Sequence, residues 1–239
     1  MIEKDMYLIN DRVWYSDINK KGELSVVALI DHFQNAAYAN SADLGHDVAH
    51  LSQYKRAWLL ASWNVYVKRY PKLDEKITHG TAASAFKGII GYRDHCKWDE
   101  SGDLIAWGEA QWFFYDGIAG KPIRPTPADS TELYNMHPHI EMQDEVRKIK
   151  IPEELEDKEA VVAGWRQIDT NDHVNNSQYV GIALDSLGEF VSPSHIRVEY
   201  IKAAVAGDII IPRVGVREGR TVISLENPEG GTYAVVEVE

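Results

Sequence analysis

The period of the apolar positions changes several times along the chain, and each change predicts an element. Between Met6 and Trp14 the apolar run Tyr7-Leu8-Ile9 and the β-prone Val13-Trp14-Tyr15 predict a short strand. A polar turn follows at Asp17 to Gly22. From Ser25 the pattern lengthens: Val26, Ile30, Phe33, Ala37 and Leu44 recur at three, four or multiples. That is one face of an amphipathic helix, with Ser25 as its N-cap and Gly45 as its stop. Gln34 and Asn35 lie near this face and read as polar residues bonded to backbone. Beyond Ala57 the period drops to two. Trp63 to Tyr70 alternates like a half-buried strand and ends at Pro71. Strands are expected at Lys76 to Ala85, Lys87 to Trp98 and Leu104 to Tyr115, the last two joined by a tight turn at Asp99 to Asp103.

Residues 116–158 break the periodicity with Pro122, Pro125, Pro127, Pro138 and Pro152 and with crowded charges. They read as a linker with one short helix at Gln143–Ile149, so the domains are expected at 1–127 and 158–239, joined by 128–157. The last third repeats the first. A strand at Val161 to Gln167 leads to a helix at Asn175 to Leu187 that stops at Gly188. Ile196 to Tyr200 then alternates like Val65 to Tyr70. Ala206-Gly207-Asp208 stands where Lys72 to Glu75 stood, and Asn227 to Gly231 matches the turn at Asp99 to Asp103. Each half is a strand, a long helix and four antiparallel strands, an α+β layer. Two such units are expected to pair edge to edge into one continuous sheet.

The densest chemistry lies between the last two predicted elements of that second opening, in Asp169-Thr170-Asn171-Asp172-His173-Val174-Asn175-Asn176. An Asn N-cap and a helix dipole there suit an anion, or a carbonyl oxygen that becomes an oxyanion. A calcium loop also begins D-x-N, but His173 and Val174 occupy positions where that loop needs an acid and a Gly. His173 has the side chain for a general base near neutral pH, and Asn171 can orient water or substrate. Asp169 can hold an imidazole tautomer or position a backbone turn. The N–H groups at Val174, Asn175 and Asn176 are the candidate oxyanion donors. A lone Asn-Asn ahead of a helix is otherwise just a cap.

Composition narrows the field. The 239 residues are 44% hydrophobic and 26% charged, which suits a soluble protein with a sizeable core. The formal net charge of −12 argues against nucleic acid as a partner. No apolar run is long enough to span a bilayer, and Met1 to Tyr7 lacks a signal-peptide core, so no membrane association is expected. Cys96 is the single cysteine, consistent with a reducing cytoplasm and with a small buried strand residue.

The octapeptide followed by Tyr179, Gly181 and Leu184 resembles the acyl-ACP thioesterase signature D-x-N-x-H-V-N-N-x-x-Y. Gln34, Ala37, Leu44-Gly45, Trp58-Leu59-Leu60, Arg69-Tyr70-Pro71, Gly91-Tyr92-Arg93-Asp94, Trp112 and Lys121-Pro122-Ile123-Arg124 resemble that family in the same order. The resemblance implies two tandem hot-dog domains, each a long helix on an antiparallel sheet. It implies a cytoplasmic hydrolase of acyl-[acyl carrier protein] thioesters, with acyl carrier protein as partner and no cofactor or metal; a homodimer is compatible with it. It carries over Asp169, Asn171 and His173 as catalytic. Plant members read roughly E-Y-x-x-E-C after the helix, where this chain reads Glu199-Tyr200-Ile201-Lys202-Ala203-Ala204, so both the acid and the cysteine are alanine. An acyl-CoA thioesterase and an acyl-binding protein of weakened activity remain as alternatives.

Overall fold

This computed structural model describes residues 5–140, 142 and 147–239. The chain divides into two compact units, residues 1–61 with 65–143 and residues 62–64 with 144–239. In the first, strand β1 (Tyr7–Arg12) precedes helices α1 (Val26–Asp43) and α2 (Val48–Gln53). Strands β2 (Arg56–Val67), β3 (Lys76–Lys87), β4 (Ile90–Asp99), β5 (Leu104–Asp116) and β6 (Lys121–Pro122) follow. The sheet runs β1-β3-β4-β5-β2, with β6 on β5. The second unit holds β7 (Glu156–Asp157), β8 (Val161–Val162), α3 (Asn176–Asp185), β9 (His195–Tyr200), β10 (Ile209–Arg217), β11 (Arg220–Glu226) and β12 (Thr232–Val238). Its order is β9-β12-β11-β10-β7, with β8 also on β10. Each unit is a hot-dog: one helix laid on an antiparallel sheet.

Helix α1 forms where the periodicity places it. The Ser25 hydroxyl caps it by accepting the Ala28 N–H at 3.1 Å, and Gly45 leaves it with φ +80°. Val26, Ile30, Phe33 and Ala37 are buried as expected, with Leu29 and Ala36 beside them. Leu44 is exposed instead, because it sits at the C-cap where the helix has already unwound. The strand expected from Lys87 begins only at Ile90, since Gly88 at φ +65° turns the chain first. Asp99 N–H to Asp103 O at 3.0 Å closes the expected hairpin, as Asn227 N–H to Gly231 O at 2.9 Å closes its counterpart. The strand expected at Val161 to Gln167 is a correction. Only Val161–Val162 pair, and Trp165–Gln167 is a 3-10 turn, because the Gln167 side chain accepts the Gly164 N–H at 2.8 Å and curls the chain. The helix expected at 143–149 begins outside the described residues, and Arg147 to Lys150 are irregular.

The first unit carries an unusual core. Lys97 on β4 is wholly buried, and its ammonium lies 3.1 Å from His32 Nδ1 and 2.8 Å from His79 Nδ1. The far nitrogens of these rings face Asp17 at 3.4 Å and Asp11 at 3.8 Å. Burial, and then the Lys97 charge, push the His32 imidazole down to about 4, and burial also drives His79 and Lys97 below their ordinary values. In the second unit the matching positions, counted from the helix caps and hairpins, are Ile182, Pro212 and Leu225. The polar cluster is therefore not a requirement of the fold.

That cluster makes stability depend on pH. The unfolded chain protonates His32 near its ordinary 6.5, whereas the folded chain resists until about 4. Unfolding then takes up a proton, so stability falls as pH falls through that window, by up to about 1.4 kcal/mol per pH unit for one such group. Urea unfolding at pH 7 and pH 4.5 is expected to show this drop, and His32→Gln to flatten it. An unchanged slope in the variant contradicts the assignment.

Candidate active site

The site is built on one side-chain oxygen. Asp169 Oδ1 accepts the backbone N–H of Asn171 at 2.7 Å and of His173 at 3.3 Å, while the Asp169 N–H donates to His173 O at 2.7 Å. This Asx turn bends the chain back on itself. Asp172 takes the left-handed φ of +60° at the tip, a region Asp tolerates better than most residues. The turn leaves Asn171 exposed and His173 half-buried. Asn171 Nδ2 approaches Asp169 Oδ2 at 3.4 Å, a long contact. No hydrogen bond engages the His173 imidazole among the described residues.

The loop is pinned on its far side. Val174 N–H donates to Ala204 O at 2.9 Å and Asn175 N–H to Gln167 O at 2.7 Å. Both backbone donors are thus committed within the fold. Asn175 Oδ1 caps α3 by accepting the Ser177 N–H at 3.0 Å, and Asn176 O accepts the Tyr200 hydroxyl at 2.9 Å. The Tyr179 hydroxyl accepts the Ala204 N–H at 2.8 Å. Burial pushes the Tyr179 phenol up to about 12, so it stays neutral. Ala204 therefore ties α3 to the signature loop through both of its backbone groups, a role no side chain advertises in the sequence.

The first unit builds the same loop. Asn19 Oδ1 accepts the N–H groups of Lys21 at 2.8 Å and Glu23 at 3.3 Å, and the Asn19 N–H donates to Glu23 O at 2.7 Å. Gly22 holds the tip at φ +73°, and Leu24 N–H donates to Pro71 O at 2.8 Å. Position by position, Asn19 matches Asp169, Lys21 matches Asn171, Glu23 matches His173 and Ser25 matches Asn175. The scaffold is shared; the Asn171 and His173 side chains belong to the second unit's loop alone. The sequence signal for this loop is an Asx three residues ahead of a residue suited to positive φ.

The strand that carries Glu199 does not run on regularly to Ala203. Strand β9 ends at Tyr200, and the N–H groups of Ile201 and Lys202 both point at Tyr233 O, at 2.8 and 3.1 Å. Two donors on one carbonyl mark a bulge, so the alternation of faces does not carry on to position 203. Lys68 and Arg69 make the same bulge on Ile105 O in the first unit. Glu199 does not serve the site either. Its carboxylate is buried and accepts the Ile149 N–H at 3.0 Å and Arg147 at 3.3 Å. Cys96 is buried among Met6, Ala82 and Trp98.

Replacing Tyr179 by Phe removes the only change of chemistry at nearly constant volume and leaves the buried Ala204 N–H without its acceptor. The expected loss is about 1–3 kcal/mol of unfolding free energy by urea titration. Unchanged stability would show that the Tyr179–Ala204 bond does not hold the loop.

The model of the Acyl-ACP thioesterase N-terminal domain matches residues 4–127, and that of the Acyl-ACP thioesterase C-terminal domain matches residues 150–226. The chain is 27% identical over 180 residues to the chloroplastic palmitoyl-acyl carrier protein thioesterase of Cuphea hookeriana. That match takes in 68% of this chain but 42% of the relative, so the chain spans less than half the length of that protein. An acyl-ACP thioesterase structure from Bacteroides thetaiotaomicron superposes with TM-score 0.87 at 18% identity, covering 98% of this chain and 97% of the other. The 12:0-ACP thioesterase from Umbellularia californica superposes with TM-score 0.84 at 15% identity, covering 100% and 98%. No helix among the described residues is long and apolar enough to cross a membrane.

Proposed function

We propose that this chain, which belongs to the acyl-ACP thioesterase family, hydrolyses the thioester of a fatty acyl chain carried on acyl carrier protein. The observation that carries the reading is the signature loop, which displays Asn171 and His173 on a scaffold that the first unit builds without them. In this mechanism His173 takes a proton from water as the water oxygen attacks the thioester carbon. Asn171 orients that water or the carbonyl. The N-terminal end of α3, at Val174, Asn175 and Asn176, favours the negative charge that develops on the carbonyl oxygen. Because the Val174 and Asn175 N–H groups are bonded to Ala204 and Gln167, this help is the field of the helix end rather than direct donation from those two. The tetrahedral intermediate collapses, the carbon–sulfur bond breaks, and the thiolate leaves with the proton returned from His173. Asp169 holds the loop in shape.

Docking of the acidic carrier relies on local positive charge. Arg69 is tied to Glu75 at 2.6 Å and Asp99 at 2.7 Å, and Arg147 to Glu199 at 3.3 Å. These arginines support their own unit first.

At position 203 this chain has Ala where plant members of the family carry an acid. We read position 203 as facing His173, from the match with the first unit. There Tyr70 matches Ala203 and Glu23 matches His173, and the Glu23 charge, after burial, raises the Tyr70 phenol.

Two variants test the reading on a panel of acyl-ACP and acyl-CoA thioesters of varied length. His173→Ala is expected to lower kcat on the order of 10²–10⁴-fold with folding intact; wild-type turnover would remove His173 from the mechanism. Ala203→Glu is expected to raise acyl-ACP turnover by supplying the missing carboxylate. A fall or no change, with folding intact, would mean that water is activated some other way.

A further inference from the structure

On β4 the side chains alternate. Arg93 reaches Asn40 of α1 at 2.9 Å, and His95 lies against Phe33 of α1 with ring centroids 5.2 Å apart. Asp94, between them, points to the other face of the sheet. There it is wholly buried, directly opposite Glu109 on β5. Like charges paired across strands are destabilising. The segment after Pro138 runs over this face, with the Ile140 N–H donating to Asp94 Oδ2 at 2.8 Å and its side chain packed against Trp98, Ala82 and Met6. His139 Nδ1 stands 3.1 and 3.2 Å from the two Asp94 oxygens and 3.6 Å from Glu109 Oε2. One ligand atom from each residue lies within 4.8 Å of the others.

We propose that Asp94, Glu109 and His139 bind one divalent transition-metal cation, which fastens residues 137–140 to the outer face of the first sheet. The distances separate this from a plain ion pair. An imidazolium–carboxylate hydrogen bond closes to about 2.7–2.9 Å. Here one nitrogen is shared almost evenly among three oxygens and reaches none of them that closely. Ligands on a tetrahedral zinc at roughly 2.0–2.1 Å stand about 3.3 Å apart, within the 3.1–3.6 Å that separate the His139 nitrogen from the carboxylate oxygens. Charge points the same way. Two carboxylates stand directly opposite each other here, on β4 and β5. A divalent cation neutralises both. The outer contacts suit it: Gln111 Nε2 donates to Glu109 Oε1 at 2.9 Å and Ser84 Oγ approaches Asp94 Oδ1 at 3.3 Å, which orients both carboxylates. One imidazole and two carboxylates select zinc and its first-row neighbours over magnesium.

The test uses the full chain stripped with EDTA, dialysed and titrated with zinc chloride by calorimetry, with bound metal counted by elemental analysis. One zinc per chain is expected, with a raised Tm, and much weaker binding of magnesium. His139→Gln and Glu109→Gln are each expected to weaken zinc at least 10-fold. His50→Gln, at the His46–His50 ring pair with centroids 4.8 Å apart, is expected to leave it unchanged. Absence of zinc binding, or zinc bound equally well by wild type and His139→Gln, overturns the proposal. So does zinc lost in His50→Gln but kept in His139→Gln.

Discussion

One side-chain oxygen accepting two backbone N–H groups is what the signature loop of the second unit is organised around. Asp169 Oδ1 turns the chain so that Asn171 and His173 project from the tip and Asn175 arrives in position to cap α3. Without that turn the Val174 N–H does not meet Ala204 O, and the link through Ala204 to Tyr179 is lost with it. The same bond pattern around Asn19 in the first unit shows that an amide oxygen does this work as well as a carboxylate oxygen. The repeat thus separates what the fold needs from what the chemistry needs. Both halves have the turn, the cap and the bulge at the end of the first strand after the helix; only the second has an imidazole in its loop.

The cores of the two units diverge in the opposite sense. The first buries Lys97 between His32 and His79, where the second places Leu225, Ile182 and Pro212. A buried lysine is costly unless its donors are satisfied or its proton is given up. Here the two imidazole nitrogens supply acceptors, and burial drives the ammonium toward its neutral form. The outer faces are covered alike: Ile140 N–H binds Asp94, and Ile149 N–H binds Glu199. Each cover is a short linker segment anchored on a buried sheet carboxylate.

Periodicity made the helices and long strands legible, because burial on one face imposes it. Ser25 and Asn175 were readable as caps, and the turns at Asp99 and Asn227 as hairpins, since those jobs need particular side chains. Trp165–Gln167 was not readable: its β-prone run is overridden by a Gln167 side chain that closes on Gly164. The course of the chain beyond Tyr200 was not readable for a similar reason. The bulge at Ile201 and Lys202 is made of backbone groups, which carry no sequence signature. The octapeptide singled out Asp169, Asn171 and His173, whereas the turn-forming role of Asp169 emerged only beside the matching loop at Asn19.

The most direct test of this account is the acyl-ACP hydrolysis rate of Asp169→Asn. Asparagine keeps the Oδ1 acceptor and removes the charge, as Asn19 does naturally. If Asp169 shapes the loop while His173 and Asn171 perform the chemistry, kcat/KM stays within about 10-fold of wild type, a difference of roughly 1.4 kcal/mol in barrier. A loss of about 10³-fold or more in a folded protein, as expected for removing a member of a charge-dependent catalytic set, would contradict it.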